Sequence, residues 1–112
     1  MGASRTYTLT EANGVGRIVV LIAAFAYYPP SGRTRSIEQL EVEAEIKEQL
    51  FGATREVPDK LGAREYKGGD QVLTLTLGQV EILRQRILEF PFWNPLQSDQ
   101  VAETYRWLGT SS

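Results

Sequence analysis

Hydrophobic and polar residues alternate in two threonine-rich stretches of the chain. Residues 6–10 read TYTLT and residues 72–77 read VLTLTL. This alternation is typical of a half-buried β-strand, because successive side chains of a strand point to opposite faces of the sheet. We therefore predict a strand over each stretch. The turn sequence KGGD at 67–70 favours pairing of 64–66 with 71–77 as a hairpin.

The long apolar run at 17–28 carries signals for both a strand and a helix. Its length and its alanines favour a buried helix, whereas its Ile- and Val-rich start favours a strand. Asn13-Gly14 is the strongest hairpin signal in the chain. We therefore predict that 5–11 and 16–28 form a hairpin.

The stretch 36–51 contains a second conflict of the same kind. Its composition and a capping box of Ser36 and Gln39 favour a helix. Its apolar residues between 40 and 46 nevertheless alternate strictly with charged ones, which favours a strand. The periodicity carries more weight, so we predict a strand over 38–48.

Two helices are predicted at the end of the chain. From 77 to 90 the apolar residues form one stripe at helical spacing, a capping box of Thr76 and Gln79 precedes it, and Pro91 ends it. A last helix runs from Ser98 to Gly109. The fold class expected from these elements is α+β, with an antiparallel β-meander of about five strands followed by two C-terminal α-helices.

Composition narrows the classes of function. The chain has 112 residues, 42% hydrophobic and 23% charged, with a net charge of −2, and we expect a single domain over 1–112. It has no cysteine and no histidine, so thiolate and imidazole chemistry and disulfides are excluded. We expect a protein that is not an enzyme and binds no cofactor. The alternative of an enzyme based on carboxylates stays open, with the row Glu41, Glu43 and Glu45 as its densest acidic group.

No segment of the sequence predicts a membrane anchor. The uncharged run at 18–28 is shorter than the ~20 apolar residues that cross a bilayer. We expect a location in a virion or the cytoplasm, not in a membrane and not among secreted proteins that depend on disulfides.

Two groups of residues could form binding sites. Five aromatic residues crowd into a short stretch and either seal the helices onto the sheet or anchor a protein interface: Phe90, Phe92, Trp93, Tyr105 and Trp107. Three arginines could contact phosphate groups, or could simply keep a loop soluble: Arg17, Arg33 and Arg35.

The order of these elements resembles that of the coat proteins of small single-stranded RNA phages. The stretch TYTLTEANGVGRIVV is similar to their opening hairpin, and SIEQLEVEAEIKEQ to a middle strand. DQVLTLTLGQVEILRQRILE and SDQVAETYRWL are similar to the final strand and the two helices that clasp a partner subunit. The chain is short for that family, lacks one hairpin, and has a Glu-rich middle strand where an RNA-facing sheet would prefer basic residues.

These observations lead to an expected function. The resemblance implies a non-enzymatic, self-associating structural protein, most specifically a capsid coat subunit that forms homodimers or larger assemblies and could bind RNA. The alternative is a small regulatory module that docks on another protein through its aromatic residues.

Overall fold

The computed structural model of the chain describes residues 3–27 and 34–110. In chain order its elements are β1 (Ser4–Leu9), α1 (Gly14–Ala26), α2 (Ile37–Gly52), β2 (Thr54–Glu56), β3 (Arg64–Tyr66), β4 (Gln71–Thr76), α3 (Leu77–Glu89), a short 3-10 helix (Pro95–Gln97) and α4 (Ser98–Gly109). The class is α+β, as expected. The strands are short, and helices make up most of the described chain.

The predicted meander of about five strands followed by two helices is wrong. The described residues form four α-helices and two separate two-stranded sheets. β1 pairs antiparallel with β4, and β2 pairs antiparallel with β3. Both predicted hairpins are therefore wrong as well. β1 pairs with β4, more than sixty residues later in the chain, and β3 pairs with β2, the strand that precedes it.

The apolar run after Asn13 is a helix because its side chains are buried with helical spacing. Gly14, Ile18 and Leu21 lie along one side of α1 and are buried, whereas Val15 and Val19 lie on the other side and are exposed. Asn13 does not open a hairpin. Its side-chain oxygen accepts a hydrogen bond from the Thr10 N–H at 3.0 Å, in the turn that leads from β1 into the helix.

The predicted strand at 38–48 lies inside α2, and the helical signals of the sequence prevail there. Ser36 and Gln39 form the capping box, with the Gln39 N–H donating to Ser36 Oγ at 3.1 Å. Of the four alternating apolar residues at 40, 42, 44 and 46, only Ile46 is completely buried, whereas Leu40 is exposed. Leu50, one helical turn after Ile46, is completely buried with it. The alternation therefore reflects a charged, largely exposed helix instead of a sheet.

The strands over the two threonine-rich stretches are confirmed, and so are the two C-terminal helices. The capping box of Thr76 and Gln79 forms as predicted, with the Thr76 N–H donating to Gln79 Oε1 at 2.9 Å. Short-range signals were reliable here because each of these elements obtains its apolar pattern from its own residues, and α3 also obtains its cap from them.

One core joins the larger sheet to all four helices. Tyr7 and Leu9 of β1 and Leu73 and Leu75 of β4 point inward and are 0–1% exposed. They join buried residues of every helix in a single hydrophobic cluster. α1 packs against α3 and α4, while α2 lies against β4. None of the helices in the described ranges has the length and apolar character needed to cross a membrane.

Candidate interaction surfaces

The first candidate surface is the aromatic segment, which we define as residues 90–98, FPFWNPLQS. It connects α3 to α4 and contains no charged residue. The ring centroid of Phe90 lies 5.6 Å from that of Phe92 and 4.3 Å from that of Trp93. Tyr27, at the end of α1, meets both phenylalanine rings edge-on at 5.6 and 6.1 Å. Edge-to-face packing of this kind is a favourable geometry for aromatic rings.

Hydrogen bonds hold the aromatic segment in one shape. The Trp93 indole N–H donates to the Ile87 carbonyl at 2.8 Å. The Asn94 side chain accepts from the Leu96 N–H at 2.8 Å, and the Asn94 N–H donates to the Gln97 side chain at 2.9 Å. Two prolines restrict the backbone further. The conformation of the aromatic segment is therefore fixed by contacts within the single chain.

Two large apolar side chains of the aromatic segment face solvent. Phe92 is 71% exposed and Leu96 is 93% exposed, and Leu88 at the end of α3 is exposed as well. Single exposed apolar residues are common on protein surfaces, but a run of them on a rigid, uncharged segment is typical of an interaction site. Trp93 is only partly buried against the core.

The other two aromatic residues predicted for this interface lie elsewhere. Tyr105 packs under the guanidinium of Arg84, whose Cζ lies 4.0 Å from the ring centroid. Trp107 meets Tyr7 of β1 edge-on at 5.0 Å. The structure thus separates the predicted group into the aromatic segment and a pair of α4 residues that pack against α3 and β1.

The predicted arginines do not form one group either. Arg17 lies near the start of α1, with its Cζ 4.9 Å from the centroid of the Trp107 ring. Arg35 pairs with Glu43 at 3.1 Å, and Glu43 also pairs with Arg86, which donates to the Phe25 carbonyl at the far end of α1. Eight residues of helix separate that carbonyl from Arg17, or about 12 Å. Arg33 lies outside the described residues.

Arg17 is a half-buried cation that forms no ion pair with any residue the structure describes. Its Nε and Nη1 atoms are buried and have no hydrogen-bond acceptor within the described ranges 3–27 and 34–110. Nearby Arg5 is better satisfied, because its Nη1 donates to the Gly109 carbonyl at the end of α4 at 3.3 Å. A buried donor without an acceptor is costly, so Arg17 is a position where an added acceptor would be favourable.

The acidic row does not form a single site. Because 41–45 is helical, Glu43 points away from its two neighbours and pairs with Arg86, whereas Glu45 accepts from the Gln79 side chain at 2.8 Å. Within the part of the chain that the structure describes, no group of three acidic residues could hold a metal ion.

The second candidate surface is the free edge of β1, and sequence reasoning missed it. The Thr74 N–H of β4 donates to the Gln49 side chain at 2.9 Å, so it points away from β1. Thr6 lies directly opposite Thr74 in the sheet. In an antiparallel pair of strands, the backbone N–H and C=O groups of two opposite residues either point toward each other or both point away from the partner strand. The N–H and C=O groups of Thr6 therefore point outward from β1.

The same geometry applies to every second residue of β1. Thr10, four residues after Thr6 and therefore in the same phase, would have its N–H on the same outward side, and this N–H donates a hydrogen bond to the Asn13 side-chain oxygen. Ser4, Thr6 and Thr8 share this phase, and in the described residues their backbone groups have no hydrogen-bond partner. All three residues are exposed. We call these groups the open edge. Alternation revealed the strand, but no local pattern could show which side of it remains unpaired.

Comparison of the chain with protein-family models, with curated proteins and with solved structures gave no match.

Proposed function

We propose that the chain is a non-enzymatic, self-associating structural protein whose copies join through the aromatic segment. The observation that carries this proposal is the exposure of Phe92 and Leu96 on a segment that hydrogen bonds and prolines already hold rigid. A preorganised surface loses little conformational entropy on binding, so more of the apolar burial remains as affinity. The meander on which the sequence expectation drew is absent, so this segment alone supports self-association.

A second copy of the chain is the partner that best fits this surface. The segment carries no charge, so it offers nothing for a strongly charged partner to recognise. An apolar surface can pair with the same surface of another copy across a twofold axis, which is the commonest arrangement in homo-oligomers. Aromatic residues are also enriched in the centres of such interfaces.

The most specific form of the proposal is a capsid coat subunit, in which such contacts would repeat to build a shell. That role rests on self-association through the aromatic segment, because the order of elements in the structure differs from the one on which the resemblance was based. RNA binding within the shell would use the predicted arginines: Arg17 and Arg35 lie at opposite ends of α1 and contact Trp107 and Glu43, and Arg33 lies outside the described residues.

The experiment is light scattering after size exclusion, with absorbance read at 260 and 280 nm. The wild-type protein is compared with the double variant Phe92→Ser and Leu96→Ser. The control is Leu61→Ser, because Leu61 is 106% exposed in the loop between β2 and β3, away from the aromatic segment. We expect a wild-type dimer or larger assembly, a monomeric double variant, and a control that assembles like the wild type.

Each other outcome has a defined meaning. A monomeric wild-type protein contradicts the proposal and favours the alternative of a module that docks on another protein. An assembly that survives the double substitution places the interface elsewhere. Uniform large particles that absorb strongly at 260 nm would support the coat subunit and its RNA.

A further inference from the structure

We propose that the open edge of β1 binds an extended, acidic peptide segment of another protein, which adds a strand to the sheet. This inference goes beyond self-association and uses a different surface. The backbone of Ser4, Thr6 and Thr8 supplies the hydrogen bonds, and the positively charged side of β1 selects the partner.

The backbone at the open edge is available for pairing. An unpaired strand edge is a template for another strand, and proteins usually protect it with a proline, a bulge or a covering element. β1 contains no proline, and its register with β4 runs without a bulge from Ser4 to Leu9. Addition of a strand along such an edge is a recurring mode of peptide recognition.

The charge beneath the open edge favours a carboxylate. Arg5 lies on the inward side of β1, and Trp107 contacts both Tyr7 and the guanidinium of Arg17. Arg17 therefore lies one indole ring away from β1, with buried donors that lack an acceptor. Side chains of an added strand that point inward would lie beside Arg5 and Tyr7. Acidic side chains at those positions would bring negative charge to Arg5 and close to Arg17, which favours an acidic partner over a basic one.

The same charge disfavours a second copy of β1 as the occupant. If two β1 strands paired antiparallel around Thr6, Tyr7 of each copy would lie opposite Arg5 of the other. The Arg5 and Arg17 side chains of both copies would then gather on one side of the sheet, with no carboxylate among the residues of β1. Because like charges repel across an interface, this arrangement disfavours pairing of two β1 strands.

The experiment measures binding of two labelled peptides by fluorescence anisotropy. The acidic probe is TEVETEV, in which glutamates occupy every second position, and the control probe TKVKTKV replaces them with lysines. We expect the wild-type protein to bind the acidic peptide and not the basic one. Raising the salt concentration should weaken this binding, because the charges involved are only partly buried.

Two pairs of variants test the two halves of the proposal. Thr6→Pro removes an outward N–H that takes no part in the pairing with β4, and should abolish binding, whereas Thr6→Val keeps that N–H and should bind like the wild type. Arg17→Gln should weaken binding about threefold to tenfold, because it removes a positive charge close to the added strand. Arg106→Gln, which removes an exposed arginine of α4, should change binding less than about twofold. Circular dichroism melts confirm that each variant folds.

Several results would overturn the proposal. They are failure of the wild-type protein to bind the acidic peptide, equal binding of both peptides, or unchanged binding by the folded Thr6→Pro variant. A wild-type dimer that Thr6→Pro converts to monomer, without peptide binding, would show that a second copy occupies the edge.

Discussion

The two strands of the larger sheet are alike in sequence and differ in what lies beside them. Thr6 of β1 and Thr74 of β4 are directly opposite each other, and both side chains are exposed. The outward N–H of Thr74 is taken by the Gln49 side chain of α2, whereas the outward N–H of Thr6 meets no residue of the described chain. One strand is therefore covered by the fold and the other is available to a partner.

This difference shows that exposure of a strand's face and openness of its edge are separate properties. The face follows from the alternation of threonine with leucine or tyrosine, because it is set by which side chains point to the core. The edge depends on which element the chain places next to the strand. α2 covers the β4 edge with Gln49, and no residue in the described ranges takes the corresponding place beside β1.

The largest effects are expected on the buried face, where the two strands should behave alike. Leu9 of β1 and Leu73 of β4 are both 0% exposed in the same core. Leu9→Ala and Leu73→Ala should each lower the free energy of unfolding by about 2–5 kcal/mol, because each leaves a cavity. Urea unfolding followed by circular dichroism measures this. A small loss for Leu9→Ala alone would show that β1 is docked less firmly than β4, which would break the symmetry of the buried face.

The sequence predicted the two threonine-rich strands and the Thr76–Gln79 capping box correctly, but it predicted the partners of the strands incorrectly and placed two further strands where the structure has helices. Thr76 and Gln79 form their capping box within four residues of chain, so nothing distant can change it. The partner of β1 is β4, more than sixty residues away. Nothing in the sequence near β1 indicates that distant partner, whereas the adjacent Asn13-Gly14 turn favours a hairpin with the next segment. In this chain that turn leads into a helix, because the apolar run after it can bury one helical side against the core.

The candidate surfaces show the same division between local and distant information. The clustering of Phe90, Phe92 and Trp93 could be predicted because they and the prolines are nearly consecutive in sequence, whereas their role as an interface stays a prediction. Trp107 was assigned to that group by its distance in sequence, but α4 carries it to β1 and Arg17. The open edge could not be predicted at all, since it depends on which elements of the described chain lie beside β1.

A smaller effect distinguishes the two outward N–H groups directly. We expect the Thr74 amide to exchange with deuterium about two- to tenfold more slowly than the Thr6 amide, after correction for sequence, because its hydrogen bond to Gln49 must open first. In Gln49→Ala the two rates should approach each other, and the free energy of unfolding should fall by about 0.5–1.5 kcal/mol. Amide exchange followed by NMR measures both rates in one sample.

The Arg5 and Tyr7 amides serve as the internal control for that experiment. They lie in the alternate phase of β1 and face β4, so both should remain slow in the wild type and in Gln49→Ala. Equal protection of Thr6 and Thr74 in the wild-type protein would show that a group from elsewhere already pairs with β1. The open edge would then not exist in solution.

The smallest effect concerns the end of the sheet where β1 and β4 are tied together. Glu11, just after β1, accepts a hydrogen bond from the Gly69 N–H at 2.5 Å, and the Tyr66 hydroxyl donates to the Gly69 carbonyl. Burial raises the pKa of Tyr66 above its ordinary value of 10.0, and the negative charges of Glu11 and Asp70 raise it further. The folded protein therefore holds the phenol proton at a pH where the unfolded chain has lost it.

It follows that the contribution of Tyr66 to stability is complete below about pH 10 and is lost as the pH rises through the raised pKa of the folded state. Measured from about pH 8 to pH 11, the difference in free energy of unfolding between the wild type and Tyr66→Phe should be constant up to about pH 10 and should shrink above it, since the two proteins differ only in this hydroxyl. Glu11→Gln keeps an oxygen acceptor for Gly69 but removes a charge that raises the pKa of Tyr66, so its alkaline loss of stability should begin at the same pH, be smaller and end at a lower pH. If the difference stays constant across this range, the Tyr66 hydroxyl is not buried as the structure places it, and the two strands are held together at this end by Glu11 and Gly69 without it.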